Sequence, residues 1–229
     1  MHIDRATIDA VFEDWKTAPV SERVRAGLSL AELLTLRPQE LDRAFLNGLE
    51  ERGLDRLAIE DVANVTFHFN FINRLADAFD FPRLDEGQQR RLARLLDFAA
   101  KMRVGGRPQP ASVRGRDGVL RPTEVEQGRE QALTHPAACA PKLRRAVEAR
   151  AARCFGGRRE GVDGTDELPA ALAAYVDKVA RWAYKVIDED IDALRQAGFD
   201  DPQIFELTMM AALGASLPGL ERLFEWLDG

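Results

Sequence analysis

Residues 46–79 read LNGLEERGLDRLAIEDVANVTFHFNFINRLADAF, and residues 191–224 read IDALRQAGFDDPQIFELTMMAALGASLPGLERLF. Aligned without a gap at an offset of 145, they share Leu49/Leu194, Gly53/Gly198, Asp55/Asp200, Ile59/Ile204, Leu75/Leu220 and Phe79/Phe224. Apolar exchanges such as Leu46/Ile191, Leu54/Phe199, Val62/Leu207 and Ile72/Leu217 fill the intervals. A repeat of this kind predicts one helical hairpin built twice, because a repeated pattern specifies a repeated supersecondary unit.

Working outward, 24, 28, 30, 33, 34 and 36 carry Val or Leu, an apolar stripe at helical spacing. Ser21 is placed to cap that helix and Pro38 to end it. A second helix is expected over 39–52, stopped by Gly53, and a third over 57–81. An amphipathic helix over 86–102 closes the first half. The stretch 104–133 is rich in Gly, Pro and Arg and reads as a linker or long loop, with Arg107, Arg114, Arg116 and Arg121 available to an anion. Three segments follow: a first repeat over 1–103, the linker over 104–133, and a second repeat over 134–229. The second repeat should hold helices near 141–154 and 168–186 and a long one starting at Asp201-Pro202. Gly214 and Pro218 are expected to break or kink that last helix.

Composition agrees with an all-α fold. Of 229 residues, 45% are hydrophobic and 31% charged, enough apolar content for a full core, and residues with high strand propensity are sparse. The net charge of −6 disfavours nucleic acid, whose partners usually present a basic surface. No apolar run approaches the ~18 residues of a membrane span, and the first residues, MHIDRATIDAVFEDW, lack a basic leader with an apolar core. With only two cysteines, a disulfide framework is not expected, which fits a cytoplasmic, reducing setting.

The motifs LTLRP, ending at Pro38, EERGL, ending at Leu54, and FHFNFINRLADAF, ending at Phe79, resemble the alkylhydroperoxidase D-like, peroxidase-related proteins of the carboxymuconolactone decarboxylase superfamily. Asp14-Trp15-Lys16-Thr17-Ala18-Pro19 is similar upstream. YVDKVARWAYKVIDEDIDALRQAGF and IFELTMMAALGA carry a related signature in the second half, so the resemblance covers about two thirds of the chain. It implies helical hairpins and assembly as a homo-oligomer. It also implies a Cys-x-x-Cys reaction centre followed by His, which this chain lacks: Cys139 and Cys154 stand fifteen apart, with His135 upstream. Thiol peroxidase chemistry needs a second sulfur close enough to resolve a sulfenic acid, with β-carbons about 4 Å apart. A spacing of fifteen supplies that only through the tertiary fold.

Other candidates lie on the third helix. Thr66, Asn70, Asn73 and Asp77 recur at i, i+4, i+7 and i+11 and share one face. With Arg74 as an anion clamp, Asn70, Asn73 and Arg74 would line a ligand pocket, and His68 or Asp77 would serve as acid or base. The same side chains equally well pin neighbouring helices. Tyr184, beside Lys185, is a further ligand-binding candidate between the repeats or an interface aromatic. No histidine stands at metal-ligand spacing, no cofactor motif occurs, and Asp188-Glu189-Asp190 suits a helix start. Three functions remain open: a thiol peroxidase using Cys139 and Cys154, a cysteine-independent enzyme or small-molecule-binding protein, and a non-catalytic assembly subunit.

Overall fold

A computed structural model describes residues 4–82, 87, 121–159 and 168–228. Among them the chain is all-α, with nine α-helices, two short 3₁₀ turns and no strand. The first half holds α1 (Arg5–Asp14), α2 (Glu22–Leu36), a 3₁₀ turn (Pro38–Glu40), α3 (Arg43–Glu51) and α4 (Arg56–Ala78). The second holds α5 (Pro122–Thr134), α6 (Pro141–Arg153), α7 (Ala170–Trp182), a 3₁₀ turn (Ala183–Lys185), α8 (Asp188–Gln196) and α9 (Asp201–Asp228). The chain divides into two units, one of Met1–Phe79 with Leu120–Gly229 and the other of Asp80–Val119. The first is described below. The helix expected over 86–102 lies almost wholly outside the described residues, as do Arg107, Arg114 and Arg116.

Local chemistry sets the helix boundaries. Asp4, Ser21, Asp42 and Asp55 each accept a hydrogen bond from an N–H of the first turn that follows, satisfying donors that a helix start leaves unpaired. Gly53 and Gly198 stop α3 and α8 at φ values of 88° and 94°. In both, the next residue's N–H returns five positions, Leu54 to Leu49 O (3.0 Å) and Phe199 to Leu194 O (3.1 Å). Paired with the bonds from Gly53 to Glu50 O and from Gly198 to Arg195 O, this is a Schellman closure, which requires a left-handed residue at the turn.

From α2 and α7 onward, the order of elements repeats at the offset of 145. The bounds of α3 map onto those of α8, the 3₁₀ turns map onto each other, and α4 and α9 begin at Arg56 and Asp201. The correspondence runs further upstream than the shared residues do: Arg37 and Trp182 hold the same backbone conformation, φ/ψ −148°/52° and −147°/52°. Each long helix lies against the other half's 3₁₀ turn, α4 on Ala183–Lys185 and α9 on Pro38–Glu40.

Two apolar cores result, and α9 belongs to both. Its Ile204, Leu207, Met210, Ala211 and Ala215 pack with α6, α7 and α8. Its Leu217, Leu220, Leu223 and Phe224 pack with α2, α3 and α4. Two sequence expectations change here. The end of the stretch read as linker is helical, since α5 buries Val125 and Leu133 and is capped where the Glu124 carboxylate accepts the Arg121 N–H. Neither Gly214 nor Pro218 interrupts α9, which runs through both. Gly214 instead lets α6 lie directly on α9: a Cβ there would stand 2.2 Å from Glu148 O. Packing on that scale outweighs the hydrogen bond lost at Pro218.

On α4 the matching face is bare. Val65, Phe69 and Ile72 are exposed, whereas their counterparts Met210 and Leu217 are buried and Gly214 sits under α6.

Candidate functional site

The sequence candidates scatter. Cys139 precedes α6 and Cys154 caps its far end, so about 20 Å of helix rise separates them. Both are free thiols, and a bond of ~2.05 Å cannot join them in this fold. Burial, reinforced by the neighbouring Glu206 carboxylate, pushes the Cys139 thiol up to about 12. Glu206 accepts the Cys139 N–H at 2.8 Å and pairs with Arg144 at 3.1 Å. Burial likewise raises Cys154. Neither sulfur has the depressed pKa of a reactive thiolate.

The polar stripe of α4 divides between buried and exposed positions. Thr66 is buried and donates to Val62 O at 2.7 Å, while Asn73 and Asp77 are exposed. His68 is exposed, with Nδ1 2.7 Å from Asn64 O. Asn70 and Arg74 are brought together, but as a tie between helices. Asn70 donates to Thr35 Oγ1 at 3.0 Å. Arg74 donates from Nε to Ala180 O at 3.0 Å and from Nη1 to Asn70 O at 2.8 Å, and its guanidinium lies 5.3 Å from the centre of the Phe155 ring. Burial lowers its pKa to about 10. These bonds pin α4 to the end of α7 and commit two of the three guanidinium nitrogens of Arg74 to backbone carbonyls. Tyr184 is exposed beside Lys185, whose Nζ lies 5.6 Å from the ring.

A cleft of about 880 Å³ opens elsewhere, between the Pro38–Glu40 turn, the start of α5, the loop after α6 and the C-terminal half of α9. Pro38, Val125, Phe155, Pro218 and Phe224 give it an apolar wall; Arg158, Arg159 and Arg222 with Glu126, Glu221 and Glu225 give it charge of both signs. None of Asn70, Asn73, Arg74, Tyr184, Cys139 or Cys154 lines it.

Behind the charged wall stands a chain of ion pairs centred on Glu148, a fully buried carboxylate of α6. Arg129 of α5 grips both its oxygens, Nε to Oε1 at 3.0 Å and Nη2 to Oε2 at 3.1 Å. Arg159 donates from Nε to the same Oε1 at 2.6 Å and from Nη1 to Glu221 Oε2 at 2.9 Å. The fourth member, Glu221, projects from α9. A buried charge is tolerated only when paired and hydrogen-bonded, and here three elements supply the partners.

One donor is left over. Nη2 of Arg159 is buried without a hydrogen-bond partner, on a side chain only 7% exposed. Glu221 is perturbed in turn: burial raises its pKa, Arg159 opposes the rise, and Glu148 adds to it. Burial would lower Arg129, but hydrogen bonds and charge from Glu148 outweigh it and hold the guanidinium above its ordinary value. A cleft with a raised-pKa carboxyl and a spare cationic donor has the chemistry of a binding or acid–base site.

Sequence reasoning missed Arg129, Glu148, Arg159 and Glu221 because they come from four separate segments and form no motif. One signal was present: Glu148 interrupts a run of small residues (Ala146, Val147, Ala149, Ala151, Ala152) that all become buried.

Among the described residues, no group of three or more His, Cys, Asp or Glu side chains is placed to hold a metal ion. No helix there is long and apolar enough to cross a membrane. Compared with known protein families, curated proteins and solved structures, the chain matches none.

Proposed function

We propose that this chain is a small-molecule-binding protein or cysteine-independent enzyme, related to the alkylhydroperoxidase D-like proteins by its repeated hairpin, and that the cleft beside Glu221 is its working site. One observation carries the reading: Glu221, a carboxyl with a raised pKa, meets a buried arginine in a cleft of about 880 Å³ that has an apolar wall on one side and charged residues on the other. That volume falls within the range of small-molecule sites, and a carboxyl poised above its usual range suits proton transfer. Peroxide reduction by Cys139 and Cys154 as a pair finds no support in their positions at opposite ends of α6.

The cleft is tested with an uncharged probe. Benzyl alcohol should raise the melting temperature of the wild-type protein, since a ligand that binds only the folded state stabilises it. The gain should vanish in Gln39→Trp, which fills the mouth of the cleft from an exposed position. A probe effect that survives in Gln39→Trp, or no effect at all, refutes the assignment.

Self-association through the bare face of α4 is part of the same proposal, supported by Val65, Phe69 and Ile72. Phe69→Glu should then lower the mass seen by light scattering, and an unchanged mass rules that face out.

A further inference from the structure

Two arginines that line the cleft each keep an unused hydrogen-bond donor, Nη2 of Arg159 and Nε of Arg222, and the surroundings of the first restrict what can occupy the cleft. Nη2 of Arg159 belongs to a guanidinium whose other nitrogens are already committed, Nε to Glu148 and Nη1 to Glu221 and to Arg158 O. An ionised donor without a partner in a buried position is costly, so Nη2 favours any acceptor that enters beside it. The best acceptor for a guanidinium is a carboxylate or phosphate oxygen.

Charge decides between those two. The groups that face Glu221 are Arg159 and Arg158 from the loop after α6, Glu148 from α6, Arg129 and Glu126 from α5, and Arg222 and Glu225 from its own helix. Among the described residues, with Glu221 ionised, these cations and carboxylates balance. Further negative charge must therefore be accommodated, and a dianion beside Arg159 would sit against the carboxylates of Glu148 and Glu221 that Arg159 already pairs with. A monoanion is different, because one proton taken up by Glu221 cancels its charge. A carboxylic acid beside a carboxylate then shares that proton across a short hydrogen bond, an arrangement that like-charged carboxyls adopt when they cannot both ionise. The apolar wall of Pro38, Val125, Phe155 and Phe224 suits an organic body rather than an inorganic ion.

We infer that the cleft takes its ligand as an organic monocarboxylate, with one carboxylate oxygen on Nη2 of Arg159 and the other sharing a proton with Glu221. This rests on the reading of the cleft as a ligand site. Binding brings in one proton from solvent for each anion whenever Glu221 starts ionised, so affinity rises as pH falls. The raised pKa of Glu221 moves that change toward neutral pH.

The probes are benzoate, benzyl alcohol as its uncharged analogue, and inorganic phosphate, each titrated calorimetrically into the full chain between about pH 5.5 and pH 8.5. Benzoate should bind more tightly than benzyl alcohol, and its affinity should fall by roughly tenfold per pH unit at most once Glu221 ionises. In Glu221→Gln, which keeps a hydrogen-bonding group but does not titrate, the pH profile of benzoate should flatten. Arg159→Gln should abolish the preference for benzoate over benzyl alcohol; if that variant does not fold, the Glu221→Gln profile decides alone. Benzyl alcohol binding with no preference for benzoate overturns the carboxylate assignment and leaves the cleft standing. Failure of both overturns the cleft itself. Phosphate binding as tightly as benzoate, or a pH profile unchanged in Glu221→Gln, also overturns the inference.

Discussion

Arg74 of α4 and Gly219 of α9 occupy the same position in the two halves, and each meets backbone of the opposite half. Arg74 Nε donates to Ala180 O at 3.0 Å. A Cβ on Gly219 would lie 2.6 Å from Leu34 O, and Leu34 matches Val179, the neighbour of Ala180. One copy bridges the gap with a long side chain and the other removes the side chain and closes it. The same hairpin thus packs at two different distances, which explains why α9 carries the glycines and α4 the bulky residues.

Glycines on α9 should therefore be intolerant of even a methyl group. Gly214→Ala and Gly219→Ala should each cost about 1–3 kcal/mol from overpacking. Gly48→Ala in α3, where nothing lies within 4 Å, should stabilise by about 0.5–1 kcal/mol. Urea denaturation of the three variants separates packing from helix propensity; a stabilising Gly214→Ala would refute the close approach of α6.

Replacing Arg74 with lysine keeps its charge and removes a planar donor that serves two carbonyls. The expected loss is about 1–3 kcal/mol of stability, with benzoate and benzyl alcohol binding unchanged because Arg74 lies outside the cleft lining. Reduced ligand binding at intact stability would return Arg74 to the role of anion clamp.

Glu148→Gln leaves Arg129 and Arg159 buried with half their counter-charge gone. Breaking a buried pair from one side typically costs about 3–5 kcal/mol, and denaturant titration should find a loss of that order. A change below about 1 kcal/mol would mean that water reaches the two arginines.

The pH dependence of stability follows from Glu221. Its pKa in the folded state is raised above the ordinary value of 4.5. Below 4.5 both folded and unfolded chains hold the proton and the group contributes no difference. As pH rises, the unfolded chain releases its proton first, so stability falls until the folded pKa is passed and then levels off. Glu221→Gln should remove this component, and thermal melts from about pH 4 to pH 8 that keep the wild-type slope would contradict it.

Thiol chemistry gives a further check. A pKa of about 12 at Cys139 leaves roughly a thousandfold less thiolate at pH 8 than an ordinary cysteine has. In the native protein, iodoacetamide should modify Cys154 first and reach Cys139 only on unfolding. Equal rates, or a native disulfide formed under mild oxidation, would show the two ends of α6 coming together.

The all-α class, the hairpin pair, the cap at Ser21 and the stop at Gly53 were legible in the sequence. These features depend on contacts within a few residues, so short-range patterns encode them. The wrong readings share a cause as well. Pro218 signals a break by its own chemistry, but Gly157 packs closely against it, and a linker reading of α5 overlooked its apolar face against α9. Likewise, Thr66, Asn70, Asn73 and Asp77 lie at helical spacing, yet what covers a helix face is set by other segments.

The sequence by itself determined that this chain folds as helices and uses one hairpin twice, because backbone capping and hydrophobic periodicity are local properties. Only the tertiary structure decided that Arg129, Glu148, Arg159 and Glu221 meet beside one cleft. Burial and pairing depend on which distant segments arrive together, and that juxtaposition creates both the raised pKa of Glu221 and the unpaired nitrogen of Arg159.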